Sequence, residues 1–204
     1  MKGNLYTLCF ACVLGSVCAL LLTAADDFAE PYKSANAKAE EMLNVLSALK
    51  VPLEEGTSSM QLVKIFQNSI RQESRGQEEV YIYFSPESKD QIQALAIRFT
   101  GSGLWGPIKG FLALEPDMET IRGMTIFEQE ETPGLGGEIG AQWFKDQFLG
   151  KSIKGDSGNI GIVIHSDGGK APNGVDAITG ATMTCDKLQA IINAAIMEMV
   201  KESE

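Results

Sequence analysis

Three short stretches combine residue types able to hold a ligand and to be modified by one. The first is Gly101-Ser102-Gly103-Leu104-Trp105-Gly106-Pro107. Glycines around a tryptophan let backbone come close to a bound molecule and set a flat apolar ring beside it. A plain hairpin loop with a packing Trp would use the same residues. The second is Glu131-Thr132-Pro133-Gly134-Leu135-Gly136-Gly137-Glu138. Pro133-Gly134 signals a type II turn, and the glycines after it keep the backbone open, so its N–H groups can face electronegative atoms. A simple turn between a strand and a helix is the structural alternative. The third is Asp176-Ala177-Ile178-Thr179-Gly180-Ala181-Thr182-Met183-Thr184, just ahead of an amphipathic segment. A threonine can cap a helix start, and the free N–H groups and positive dipole end there suit a phosphate. A cap alone does not explain Thr179, Thr182 and Thr184 around Gly180-Ala181. A hydroxyl beside a bound phosphate is an acceptor for phosphoester formation. This stretch lacks the Gly-Lys-Ser/Thr of a Walker loop.

The bulk properties narrow the field. The chain has 204 residues, 44% of them hydrophobic, with a mean hydropathy near zero, which fits one folded domain with an appendage rather than a disordered chain. A net charge of −10 argues against nucleic acid as a partner, since that needs a basic face. A single histidine argues against a His-based metal or acid–base centre, so no catalytic side chain and no metal site is assigned. Cys9, Cys12 and Cys18 share one apolar run and Cys185 stands far away, which is no disulfide framework.

The elements that must position the three stretches follow from periodicity. Leu5 to Ala25 carries no charge, with Lys2 before it and Asp26-Asp27 after. At about 1.5 Å per residue it can cross a bilayer as a helix. The basic flank predicts a cytoplasmic N-terminus and a soluble part on the far side. A signal peptide cleaved after Thr23-Ala24-Ala25 is the alternative, but the run is long for one, and a retained anchor is preferred. With no acidic residue inside it, the run offers no ion path of its own.

Glu30 to Leu49 reads as a second helix, and Ser58 or Ser59 caps a third with Leu62, Phe66 and Ile70 on one face. Gln72 to Gln77 reads as a polar loop. Period-two alternation predicts strands around Val80–Phe84 and Leu95–Phe99. Phe111–Leu114 and Ile121–Phe127 form a further strand pair joined by a turn at Glu115-Pro116-Asp117. Ile139–Phe148 reads as a short helix and Ile160–Ile164 as a strand. Cys185–Lys201 reads as a helix burying Leu188, Ile191, Ile192, Ala195, Ile196 and Met199. The class is α+β, with an antiparallel-rich sheet and flanking helices behind one transmembrane helix. The expected division is an anchor over 1–25, a helical stalk over 26–57 and a ligand-binding domain over 58–204.

Taken together, Gly103-Leu104-Trp105-Gly106, Glu131–Ile139 and Thr179-Gly180-Ala181-Thr182-Met183-Thr184 resemble the covalent FMN-binding domain found in the C-type subunit of the Na+-translocating NADH:quinone reductase and in its relative, the G-type subunit of the Rnf electron transport complex. The resemblance runs from the anchor to the last helix. The form of Gly-Leu-Trp-Gly and the Gly-Gly-Glu-Ile ending are closer to the reductase; the short length and Asp176-Ala177-Ile178 are closer to Rnf. A stand-alone exported flavoprotein is a third reading.

What the resemblance implies is a redox subunit, active only within a membrane complex, that passes electrons through covalent FMN. The last hydroxyl of the Ser/Thr-Gly-Ala-Thr-x-Thr/Ser pattern, Thr184, would carry the FMN phosphate. Thr182, Thr179, Gly180 and Ala181 would surround the phosphate. Leu104, Trp105, Thr132, Leu135 and Gly136 would form the remaining wall, with Lys109 a possible charge partner. A separate Mg2+-dependent flavin transferase would attach the FMN, and the other membrane subunits of the NADH:ubiquinone reductase would be its partners. The location implied is the inner (cytoplasmic) membrane, single-pass, with the domain on the periplasmic side. Two positions depart from the family pattern: Gln129 stands where a His is usual, and Cys185 where Ser is common.

Overall fold

A single helix, α1 (Lys2–Ala48), covers the ground on which two helices are expected. Ala24, Ala25 and Ala29 at the join favour helix, and Pro31 interrupts the hydrogen-bond ladder without ending it. The computed structural model describes residues 2–54, 56–75, 78–85 and 91–201, in two units, Met1–Ala39 and Glu40–Glu204. In the first unit, Leu5, Leu8, Phe10, Val13 and Leu20–Leu22 are all exposed on α1. By length and composition this helix can cross a membrane.

The second unit opens on the last turns of α1, where Val45, Leu46, Ala48 and Leu49 are fully buried. Helix α2 (Ser59–Ser69) starts on a capping box: Ser58 Oγ accepts from the Gln61 N–H, and Gln61 Oε1 accepts from the Ser58 N–H. Five strands follow: β1 (Ile70–Arg75), β2 (Glu78–Phe84), β3 (Ile92–Ser102), β4 (Pro107–Leu114) and β5 (Ile121–Glu128). They pair in sequence order, each antiparallel to the next. The polar loop expected at Gln72 to Gln77 is instead largely β1, which pairs from Ile70↔Tyr83 to Arg75↔Glu78; Gly76 and Gln77 lie outside the described residues. As an edge strand it keeps polar side chains at the surface, so no alternation marks it. Ile70 begins this strand rather than ending the α2 face.

Alternation along the inner strands sorts the core onto two faces of the sheet. Val80, Ile82, Leu95, Ile97, Phe99, Leu112 and Leu114 pack on one side with the final helix. Tyr81, Tyr83, Ala94, Ala96, Phe111 and Ala113 pack on the other with α2 and the end of α1. Arg122 ties that end to the sheet, donating from Nε to the Leu49 carbonyl at 2.7 Å and from Nη1 to Glu115 Oε2 at 2.9 Å.

Beyond β5 the chain forms a 3-10 turn (Gly136–Gly140), α3 (Gln142–Asp146), the parallel pair β6 (Val163–His165) and β7 (Gly174–Asp176), and α4 (Thr182–Lys201). The helix expected at Ile139–Phe148 is thus split, the 3-10 turn closing at Gly140, although Ile139, Phe144 and Phe148 are all buried. The strand expected at Ile160–Ile164 starts only at Val163; Ile160 instead bridges Lys154. Helix α4 buries the six residues of its expected stripe. It seats directly on β3 because Gly101 has no side chain: a Cβ there would fall 2.4 Å from Ile191 Cγ1. Two amide side chains add polar ties. Asn193 accepts from the Ile162 N–H at 2.7 Å and donates to the Ile162 carbonyl at 2.9 Å, and Gln189 accepts from the Ile164 N–H at 2.6 Å.

A buried phenol makes stability depend on pH. Tyr81 is 1% exposed, and its hydroxyl donates to Glu79 Oε2 at 3.0 Å and lies 3.2 Å from Glu41 Oε1. Burial first, and then the two carboxylates, push its ionisation above the ordinary phenol range. The unfolded chain therefore loses this proton at a pH where the folded one keeps it. Stability is whole below about pH 10 and declines as pH rises past it. The urea midpoint is expected to fall more steeply between about pH 9 and pH 11 in the wild type than in Tyr81→Phe.

Candidate functional site

Each of the three stretches lies at the end of an element. Gly103–Gly106 is a hairpin loop between β3 and β4, closed by a bond from the Gly103 N–H to the Gly106 carbonyl at 2.8 Å. It holds Leu104 and Trp105 away from the core, 40% and 69% exposed. After β5, the Leu135 and Gly137 N–H groups donate to the Thr132 carbonyl at 3.1 and 2.9 Å, and Gly134 takes the left-handed conformation, φ 75°. The third stretch turns at Gly180, φ 79°, and runs straight into α4.

The three converge on one cleft of about 390 Å³. Leu104 and Trp105 come from the hairpin; Thr132, Leu135 and Gly136 from the second loop; Gly180, Ala181, Thr182 and Thr184 from the third. Of the ten residues expected to carry or surround the phosphate and form the wall, Thr179 alone is absent from the lining; it is exposed beside it. Met183 also lines the cleft and was missed, since it reads as an ordinary helix residue. Lys109 does not line it and pairs with Glu128 at 2.8 Å. His165 lies in β6, outside the lining.

Glu131 joins all three stretches. It is 4% exposed. Its Oε1 accepts from the Leu104 and Trp105 N–H groups at 2.7 and 3.2 Å, and its Oε2 from the Thr184 hydroxyl at 2.6 Å. Its own N–H donates to Gln129 Oε1 at 2.7 Å, so Gln129 braces the loop through an amide oxygen. Two motif glycines exist for this carboxylate. A Cβ at Gly103 would lie 2.5 Å from Glu131 Oε1, and one at Gly136 would lie 2.5 Å from Thr184 Oγ1 and 3.0 Å from Glu131 Oε2. Sequence reasoning assigned these glycines to close approach by a ligand and left Glu131 out of the site. The available signal was an acidic residue heading a glycine-rich loop.

The threonines differ sharply. Thr182, the first residue of α4, is exposed and lines the cleft. Thr184 is 3% exposed, with its hydroxyl spent on Glu131. The neighbouring Cys185 is buried and its Sγ accepts from the Ile178 N–H at 3.4 Å. Burial pushes this thiol up, the Ile178 bond opposing it, so the group stays a neutral packing residue at neutral pH.

Comparison with known proteins agrees with this geometry. A family profile described as FMN-binding domain matches residues 103–197, which take in all three loops. The chain is 38% identical over 112 residues to the C-type subunit of the Na(+)-translocating NADH-quinone reductase of Neisseria meningitidis, covering 54% of this chain and 43% of that protein. It is 36% identical over 104 residues to the corresponding protein of Pasteurella multocida, covering 50% and 40%. In these matches it spans under half the length of either relative. Among solved structures it is similar to Shewanella oneidensis NqrC, with a TM-score of 0.65 at 23% identity over 81% of this chain and 99% of that one. It is also similar to the C-type reductase subunit of Parabacteroides distasonis, with a TM-score of 0.68 at 23% identity over 84% and 94%. At that identity the structures speak for the fold alone. Residues 103–197 thus match the FMN-binding-domain profile, and over about half its length the chain is similar to the C-type subunits of Na(+)-translocating NADH-quinone reductases.

Proposed function

We propose that the cleft holds FMN, fixed by a phosphoester to Thr182, and that the chain is an electron-transfer subunit of a Na+-translocating NADH:quinone reductase. The observation that carries this is the meeting of three distant loops around an exposed threonine at a helix N-terminus. The residues fit the group in kind. The first N–H groups of α4 offset phosphate charge. Leu104, Trp105, Leu135 and Met183 supply apolar surface for a three-ring flavin. When bound, FMN supplies the redox chemistry; the protein binds and orients it.

Thr182 replaces Thr184 as acceptor on grounds of access. A transferase must bring its active site to the hydroxyl, and Thr184 is walled in by Glu131 and Gly136. In the transfer, the bond from Thr182 Oγ1 to phosphorus forms, the pyrophosphate bridge of FAD breaks and AMP leaves. The hydroxyl proton is taken up on the transferase side. The role of Thr184 is then to fix Glu131 at the base of the cleft.

The uncharged run Leu5 to Ala25 in α1 would anchor the chain in the cytoplasmic membrane, with Lys2 ahead of it keeping the N-terminus inside and the FMN domain on the periplasmic side. A tether is useful there, because FMN lost outside the cytoplasm is not replaced. The partners are the other membrane subunits of the complex and the flavin transferase. The relatives described above, named for the reductase, favour this assignment over an Rnf component or a stand-alone flavoprotein. The test is co-expression with a flavin transferase, followed by denaturing electrophoresis and intact mass. One FMN phosphoryl group per chain and a fluorescent band are expected. A chain of unmodified mass with no fluorescence would overturn the covalent reading.

A further inference from the structure

Among the described residues, Glu131 is the only buried acidic side chain. Its hydrogen-bond donors are two backbone amides and a hydroxyl. Holding the hairpin does not require a charge. A glutamine oxygen could accept from Leu104 and Trp105, and its amide could donate to Thr184. Burying a carboxylate instead has a large desolvation cost. Leu104, Trp105 and Thr184, the residues that donate to it, all line the cleft, so the carboxylate stands directly behind residues of the cleft wall.

We propose that Glu131 sets a fixed negative charge behind the cleft wall and thereby lowers the reduction potential of the bound flavin. This rests on the FMN reading above. Two-electron reduction of a flavin takes up two electrons and one proton, leaving one negative charge on the rings, or a second proton to cancel it. A buried negative charge nearby opposes that added charge, and solvent ions screen it poorly.

The experiment is a spectroscopic redox titration of the full-length flavinylated protein, with dithionite as reductant and a reference dye. In Glu131→Gln the reduced-to-oxidised ratio at a given potential is expected to rise about tenfold, a midpoint shift of roughly +30 mV for two electrons. The shift should persist in about 1 M salt, where exposed charges are screened. Glu130→Gln, which removes an exposed neighbouring charge, should shift the potential less, and not at all in high salt. Thr184→Val and Glu131→Asp loosen the hold but keep the charge, so both should leave the potential low. An unchanged or lowered potential in Glu131→Gln overturns the proposal. If Glu131→Gln does not fold, a rise in Thr184→Val or Glu131→Asp overturns it, and a low potential in both supports it. Absence of flavin from the wild-type protein would instead count against the FMN reading, and the mass measurement registers that separately.

Discussion

Thr182→Ala is expected to carry no flavin that survives denaturation, while Thr184→Ala keeps it at reduced yield. Both positions bear the same hydroxyl, so chemistry does not choose between them; access does. Thr182 opens α4 at the rim of the cleft. Thr184 is 3% exposed and donates to Glu131. Removing the Thr184 hydroxyl leaves Glu131 Oε2 short of its donor, at a cost of about 1–3 kcal/mol. That loosens the site without removing the acceptor. Co-expression with a transferase and intact mass after denaturation read both outcomes. The reverse pattern, with flavin lost only in Thr184→Ala, would return the acceptor to the last hydroxyl of the motif.

Gly136→Ala should damage the site. Its Cβ would fall 2.5 Å from Thr184 Oγ1, 3.0 Å from Glu131 Oε2 and 3.1 Å from Glu131 Cβ. Neither neighbour can yield freely, because the carboxylate is held by Leu104 and Trp105, and Thr184 by the first turn of α4. The expected loss is about 2–3 kcal/mol, the upper part of the overpacking range, together with a lower flavin yield. Gly134→Ala is the comparison. Its Cβ would meet nothing within 4 Å, but φ 75° strains an alanine; the cost is about 1 kcal/mol. Urea midpoints of the two variants check the order. Equal midpoints would mean that the Glu131–Thr184 contact gives way easily.

The legible parts of the fold were those written in local periodicity. Val80 to Phe84 and Leu95 to Phe99 alternate because each lies between neighbouring strands with a core on either face, and the α4 stripe repeats because one side meets β3. Strand β1 could not be read this way. Its order comes from the ladder to β2, and Arg71, Gln72 and Ser74 face solvent. Helix α1 reads as two because the uncharged run stops at Asp26-Asp27 and an amphipathic pattern takes over from Glu30. The three loops of the site were legible as motifs, and nine of the ten residues expected there line the cleft. What the motif hid was the burial of Thr184 and the position of Glu131, which depend on partners 26 to 53 residues apart. No window along the chain contains both ends of such a bond.

The amide ties of Asn193 to Ile162 and of Gln189 to β6 also govern how α4 can rotate about its own axis. An apolar stripe alone lets a helix roll by some tens of degrees, since oily side chains repack at modest cost. Paired bonds to the Ile162 backbone and a third to Ile164 act as keys in a slot, because any roll breaks them together. At about 100° per residue, Thr182 and Thr184 point some 200° apart. The azimuth is therefore locked so that one hydroxyl faces outward to be modified and the other faces inward to brace the carboxylate. For the two to exchange roles, α4 would have to turn by about half a revolution against its keys.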